Sequence, residues 1–215
     1  MKVLIITGPK HSGKTSAGLA LVKLLSAAGN SRPAADSAEP RFTDLDELIE
    51  RRTGKSPRAL YKEGREIFQK AETEALAFLF GKAGLPLSSA ALVIAAGGGI
   101  IDNEQALALI KKTPAAIPVC LEVSADTAWE RINASARRDG ELPPFLETEN
   151  PRETHRVLHE RRAAAYRKFA RIIIETGGKS PGEIAEEIYR APACPRPFEE
   201  APRDRGAAIS EAAQV

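Results

Sequence analysis

The sequence predicts an α/β domain, a parallel sheet of about five strands with helices on both faces and a mobile lid. Three observations predict it. Apolar runs at 3–7, 92–96 and 117–121 are what strands covered on both faces require, because neither face meets water. Each run gives way to glycines or to a stretch of helical periodicity. Strands alternating with helices join by right-handed crossovers, which makes the sheet parallel.

Taken in order, Val3 to Thr7 is the first strand and turns at Gly8. Thr15 to Leu25 has helical spacing, with Leu19, Val22 and Leu25 or Leu21 on one stripe. Residues 29–40 are small, polar and proline-containing, and form a loop. Leu45 to about Thr53 is a helix ended by Gly54, and Ser56 to about Phe80 is a helical stretch broken at Gly64. Leu92 to Ala96 is a strand that runs into Gly97-Gly98-Gly99, and Glu104 to Lys112 is helical. The strand Ile117 to Val123 leads to a helix capped by Ser124 or Asp126. Residues 137–151 are charged and proline-rich, which places a mobile lid at about 134–151. Pro151 to Phe169 is a helix, Arg171 to Glu175 a strand, and Pro181 to Tyr189 the closing helix. Residues 1–190 are thus one domain. Residues 191–215, rich in proline and charge and without periodicity, read as a disordered tail.

Composition narrows the function classes. Of 215 residues, 43% are hydrophobic and 28% charged, an ordinary soluble balance. A net charge of +2 gives no general attraction for nucleic acid or an anionic membrane, and 5% aromatics disfavour a base-stacking surface. Cys120 and Cys194 form no CxxC pair and no framework, so Cys120 reads as a small buried hydrophobe in a reducing compartment. The apolar N-terminal run stops at Gly8, too soon for a signal sequence or a membrane span. The expectation is a cytoplasmic monomer acting on a small molecule.

Gly8-Pro-Lys-His-Ser-Gly13-Lys14-Thr15 satisfies G-x-x-x-x-G-K-[ST], with a strand before it and a helix after it. Its glycines let the backbone aim successive N–H groups at phosphate oxygens. Lys14 supplies charge to the β and γ phosphates, the Thr15 hydroxyl ligates Mg²⁺, and the helix N-terminus faces the same anions. The fold is therefore that of a P-loop NTPase, with ATP held by His11, Ser12, Gly13, Lys14, Thr15 and Ser16. Asp44 and Asp46, read as an extended pair two residues apart, are expected to serve one the metal and the other an acceptor hydroxyl; a solvated turn is the plainer alternative. Gly97 to Gly99 offer bare backbone at the carboxyl edge of the sheet, or simply a loop. Arg162 lies in a basic run that also fits an exposed helix face. His155 and His159, one turn apart, read as surface residues, and Trp129 as core.

With these segments in view, the chain resembles the shikimate kinases over about residues 1–190, on GPKHSGKTS, FTDLDELIERRTG, EGREIFQKAE, AAGGGI and Glu160-Arg-Arg162 followed by Tyr166. The resemblance implies that Asp46 holds the acceptor hydroxyls, Asp44 supports magnesium, Gly98 lines the substrate pocket and Arg162 grips the substrate carboxylate. Two departures stand out. The family's GE-x-x-F-R segment ends here in Gln69, and its lid Arg-Pro-Leu-Leu is matched only by Leu142-Pro-Pro-Phe-Leu146. Arg137 and Arg138 lie a few residues earlier and are the candidates to replace the lid arginine over the phosphates. The implied function is ATP-dependent phosphorylation of a shikimate hydroxyl, with Lys14 and Asp46 as catalytic residues. The rivals are a related kinase for another small hydroxylated acid, sugar acid or nucleotide, and a nucleotide-binding pseudokinase.

Overall fold

The structure is a computed structural model and describes residues 2–29, 39–81 and 91–191. In chain order it runs β1 (Lys2–Thr7), α1 (Lys14–Gly29), β2 (Arg41–Asp44), α2 (Leu45–Thr53), α3 (Pro57–Glu63), α4 (Arg65–Phe80) and β3 (Ala91–Ala95). There follow α5 (Glu104–Lys111), β4 (Ala116–Glu122), α6 (Ala125–Asp139), α7 (Pro151–Phe169), β5 (Ile172–Glu175) and α8 (Pro181–Arg190), with 3-10 turns at Ile100–Asp102 and Pro144–Leu146.

The five strands form one parallel sheet in the order β2-β3-β1-β4-β5. Successive residues of each strand face opposite sides. Val3 and Ile5 pack with Leu92 and Ile94 on the helices α2, α4, α5 and α7. Leu4 and Ile6 pack with Val93, Val119 and Leu121 on α1 and α8. Both faces are therefore covered, which is why β1 and β3 read as unbroken apolar runs. Chain continuity leaves β1 toward β3 on one side and β4 on the other. That reversal opens a crevice at the carboxyl ends of the strands, where ligands bind in such sheets.

The helix starts follow local chemistry. Ser56, Asn103, Ser124, Asn150 and Ser180 each accept a backbone N–H of the first turn. Proline follows directly at 57, 151 and 181, where its missing N–H costs nothing. Gly64 separates α3 from α4 as expected.

Four expectations are corrected. The strand β2, a four-residue edge strand with no apolar run, is the one the sequence did not locate. Asp44 ends β2 and caps α2, and Asp46 lies in the first turn of α2, so the pair is not extended as expected. The buried stripe of α1 runs through Ala17 and Leu21, and Leu19 is 45% exposed, because two residues along a helix is about half a turn away. Residues 134–139 of the expected lid belong to α6, so the connecting segment proper is shorter. Cys120 is buried as expected. Cys194, the tail beyond 191 and most of the 29–40 loop lie outside the described residues.

Candidate active site

The turn after β1 is shaped by what cannot fit there. Gly8 has φ 134°, and a Cβ on it would sit 2.4 Å from the Leu121 carbonyl oxygen, so the strand β4 excludes any side chain. Gly13 has φ 92°, and His11 is held at φ 60°, where a non-glycine residue stores strain of about 1 kcal/mol. The Arg131 guanidinium of α6 donates to the His11 carbonyl at 3.0 Å and braces that conformation from across the cleft. Lys14, at the start of α1, donates from Nζ to the carbonyls of Gly8 (3.0 Å) and Pro9 (2.7 Å). Burial pushes its pKa down to about 8. The ammonium is thus folded over the loop it belongs to, beside the helix N-terminus.

Asp44 joins this turn to the next element. One of its carboxylate oxygens accepts from Thr15 Oγ1 at 2.8 Å, and the other accepts from the Asp46 N–H at 3.0 Å. That second bond starts α2 and turns the Asp46 carboxylate into the crevice. Asp46 Oδ1 is buried without a partner, and burial followed by the Asp44 charge raises its pKa. Glu72 of α4 stands behind it, fully buried, with Oε2 accepting from Asn103 Nδ2 at 2.9 Å and Oε1 unpartnered. Burial pushes Glu72 up to about 8. A Cβ at Gly97 would lie 3.2 Å from Asp46 Oδ1 and 3.4 Å from Glu72 Oε1, so the glycine makes room for both carboxylates.

Gly98 packs on the phosphate turn, where a Cβ would come within 3.1 Å of the Lys10 nitrogen, and its carbonyl accepts from the Tyr166 hydroxyl of α7. Arg162, one turn before Tyr166, reaches Asp102 Oδ2 through Nε (3.0 Å) and Nη2 (2.7 Å), with its side chain only 18% exposed. A single cavity of about 540 Å³ collects Lys14, Thr15, Asp44, Asp46, the three glycines and Arg162. A cationic turn suited to phosphates lies at one end, a hydroxyl–carboxylate pair suited to a hard cation beside it, and the unpartnered Asp46 and the Arg162 guanidinium line the same space.

The shikimate kinase family model matches residues 29–192. The chain belongs to that family. It is 41% identical to a shikimate kinase of Thermus thermophilus over 148 residues, 68% of this chain and 73% of the relative. It is 31% identical to one of Marinomonas over 189 residues, 87% of this chain and 90% of the relative. Among solved structures, shikimate kinase from Acinetobacter baumannii in complex with shikimate superposes with a TM-score of 0.68 at 30% identity, covering 88% of this chain and 91% of that one. As a shikimate kinase family member the chain is a phosphotransferase with a hydroxyl acceptor.

Within this shikimate kinase frame most expected site residues converge. His11, Gly13, Lys14, Thr15 and Ser16 line the cavity, while Ser12 is buried beneath the turn. Arg137 and Arg138 do not join them. Both lie exposed near the end of α6 and neither lines the cavity, because the helix carries them past the cleft. The lid turn Pro144–Leu146 holds no arginine, and Leu146 is buried. Arg58 of α3 meets the lid instead, donating to the Leu142 carbonyl at 2.7 Å and pairing with Glu141 (2.8 Å) and Glu147 (2.9 Å). Gln69 turns away and donates to the Asp102 carbonyl at 2.9 Å.

The histidines also correct an expectation. His155 is buried at 6% exposure against Trp129 and His159, and both rings line the cavity rather than the surface. Burial holds both pKa values below the ordinary range, so the rings are neutral at pH 7. Arg58 and Arg131 carried no local signal in the sequence. Each enters the site through its packing alone.

Proposed function

We propose that this chain transfers the γ-phosphoryl group of ATP–Mg²⁺ to a hydroxyl of shikimate. The observation that carries the reading is Asp46. Its buried, unpartnered oxygen opens into the same cavity as Lys14 and the Thr15–Asp44 pair, so donor and acceptor sites share one enclosed space.

The amides of the turn and Lys14 hold the phosphates, and Lys14 leaves the carbonyls of Gly8 and Pro9 to do so. Thr15 and Asp44 supply oxygens that fit magnesium, directly and through water. Among the described residues no cluster of three His, Cys, Asp or Glu is placed for a metal, so phosphate and water would have to complete the ion's shell. When bound, magnesium neutralises charge on the transferring phosphoryl group. Asp46 orients the acceptor hydroxyl and takes its proton, a task its raised pKa suits. Arg162 takes the acceptor's carboxylate. The rest is positioning and exclusion of water under the lid segment tied by Arg58. No helix among the described residues is long and apolar enough to cross a membrane. The reading is of a monomer in the cytoplasm, in keeping with an unpaired buried Cys120.

Gln69, turned out of the cavity, favours one second reading, a different small hydroxylated acid as acceptor. A coupled ADP-release assay separates the two. Saturable turnover with shikimate supports the first reading. Silence with shikimate beside turnover on another acid of a panel replaces it with the second.

A further inference from the structure

Asp102 ends the 3-10 turn that follows the triple glycine, and three arginines meet on its carboxylate. Arg162 approaches to 2.7 Å, Arg161 to 2.9 Å and Arg65 to 3.5 Å. Among the described residues none of the three pairs with a second carboxylate. Three positive charges against one negative leave the cluster with an excess of two, held in place and facing a cavity. That cavity, about 530 Å³, is lined by Arg65, Asp102, Glu153, Arg161 and Arg162, with Glu153 paired to Arg156, and it shares Tyr61, Phe145, Leu158 and Arg162 with the main site. The arginine cluster therefore stands on the rim between the two spaces.

Gln69 follows Arg65 by one turn of α4 and serves a different purpose. Its amide donates to the Asp102 carbonyl, and its own carbonyl accepts from Asn103 Nδ2 at 2.8 Å and from Thr73 Oγ1 at 2.9 Å. It lines neither cavity. Position 69 thus braces the backbone of the turn, while Arg65 carries a guanidinium to the carboxylate of that same turn.

We propose that Arg65 is the second guanidinium of the acceptor's carboxylate subsite, working beside Arg162, with Asp102 as the tether that holds both arginines ready. This rests on the acceptor being a small hydroxy acid, as argued above. A carboxylate arriving at the rim meets two forked donors whose combined charge Asp102 does not cancel, so it binds without displacing Asp102. The subsite selects acceptors that carry a carboxylate.

The test is steady-state kinetics on the full chain with ATP saturating. Arg65→Ala should raise KM for shikimate about ten-fold, the loss expected of one charged hydrogen-bonding partner, with kcat and KM for ATP within about two-fold. Arg65→Lys should recover part of the loss. Arg190→Ala, which removes the same charge at the Glu186 pair on α8, should leave KM unchanged. Wild type and Arg65→Ala should use the methyl ester of shikimate, which lacks the carboxylate charge, with equal KM. An unchanged KM for shikimate in Arg65→Ala overturns the proposal, and so does an equal rise on acid and ester. If the wild type is silent on shikimate but turns over another acid, the acceptor assignment fails while the same comparison on that acid still decides for or against Arg65. Silence of the wild type on every acid ends both.

Discussion

Asp46 and Lys14 are both partly buried ionisable groups, and their shifts point to different experiments. Asp46→Asn keeps the size of the side chain and its place in α2 but removes the proton acceptor. It should lower kcat at least about 100-fold and leave nucleotide affinity within about two-fold, read by single-turnover kinetics and calorimetry. Lys14 has a folded pKa below the ordinary lysine value, so the ammonium is lost as pH rises through about 8. Phosphates restore the charge, so ATP binding at pH 9 should take up about one proton and at pH 7 almost none. Calorimetry in two buffers of different ionisation enthalpy measures this, and affinity should fall across the same interval. Glu72 has the opposite sense. Its pKa is raised from 4.5 to about 8, so the fold holds a proton that the unfolded chain releases, and stability falls as pH rises through that window. Glu72→Gln keeps an acceptor for Asn103 and removes the penalty, so its gain in Tm should be larger at pH 8 than at pH 5. Of these residues Lys14 and Asp46 were legible, since both lie in short motifs. Glu72 lies in EGREIFQKAE, but its role was not legible, because its carboxylate is significant only through what α4 buries it against.

At the scale of elements, the segment between α6 and α7 is tied to α3 chiefly by one side chain. Arg58 holds the Leu142 carbonyl, Glu141 and Glu147, with its own side chain 29% exposed. Pairs with exposed partners are each worth less than about 1 kcal/mol. Arg58→Ala should therefore speed amide exchange over 141–147 by about five-fold, and raise ATP hydrolysis without acceptor as water enters. Helix limits were readable because their causes are local: a serine or asparagine cap, a proline after it, a glycine at the end. The strand β2 was not, since Arg41–Asp44 owes its conformation to pairing with β3 rather than to its own composition. Nor was the reach of α6 through Asp139, where a charged stretch that reads as loop is helical up to Gly140.

The whole molecule is a sheet whose two faces were each predicted to be covered and are. The cavity draws on the ends of β1, β2 and β3 and on α1, α2, α3, α6 and α7, so a ligand there bridges elements from most of the chain. Binding that links so many elements should stabilise the fold as a unit. ATP at 100 times its Kd adds about 2.7 kcal/mol. For a chain of this length that is a rise in Tm of about 5–10 °C by differential scanning fluorimetry, and Lys14→Ala should lose most of it.

The sequence alone determined the strand–turn–helix that cradles phosphate, the parallel α/β class and the acidic pair, because each depends on neighbours within a few residues. Tertiary structure decided the rest. It turned Asp46 into the cavity by capping α2 on Asp44, left Arg137 and Arg138 outside the cavity lining, and brought Arg58 and Arg131 to positions that their sequence surroundings do not mark. The physical reason is reach. A guanidinium works several ångströms from its own backbone, so its role is set by which helix faces it across the cleft, and that is a property of packing rather than of sequence spacing.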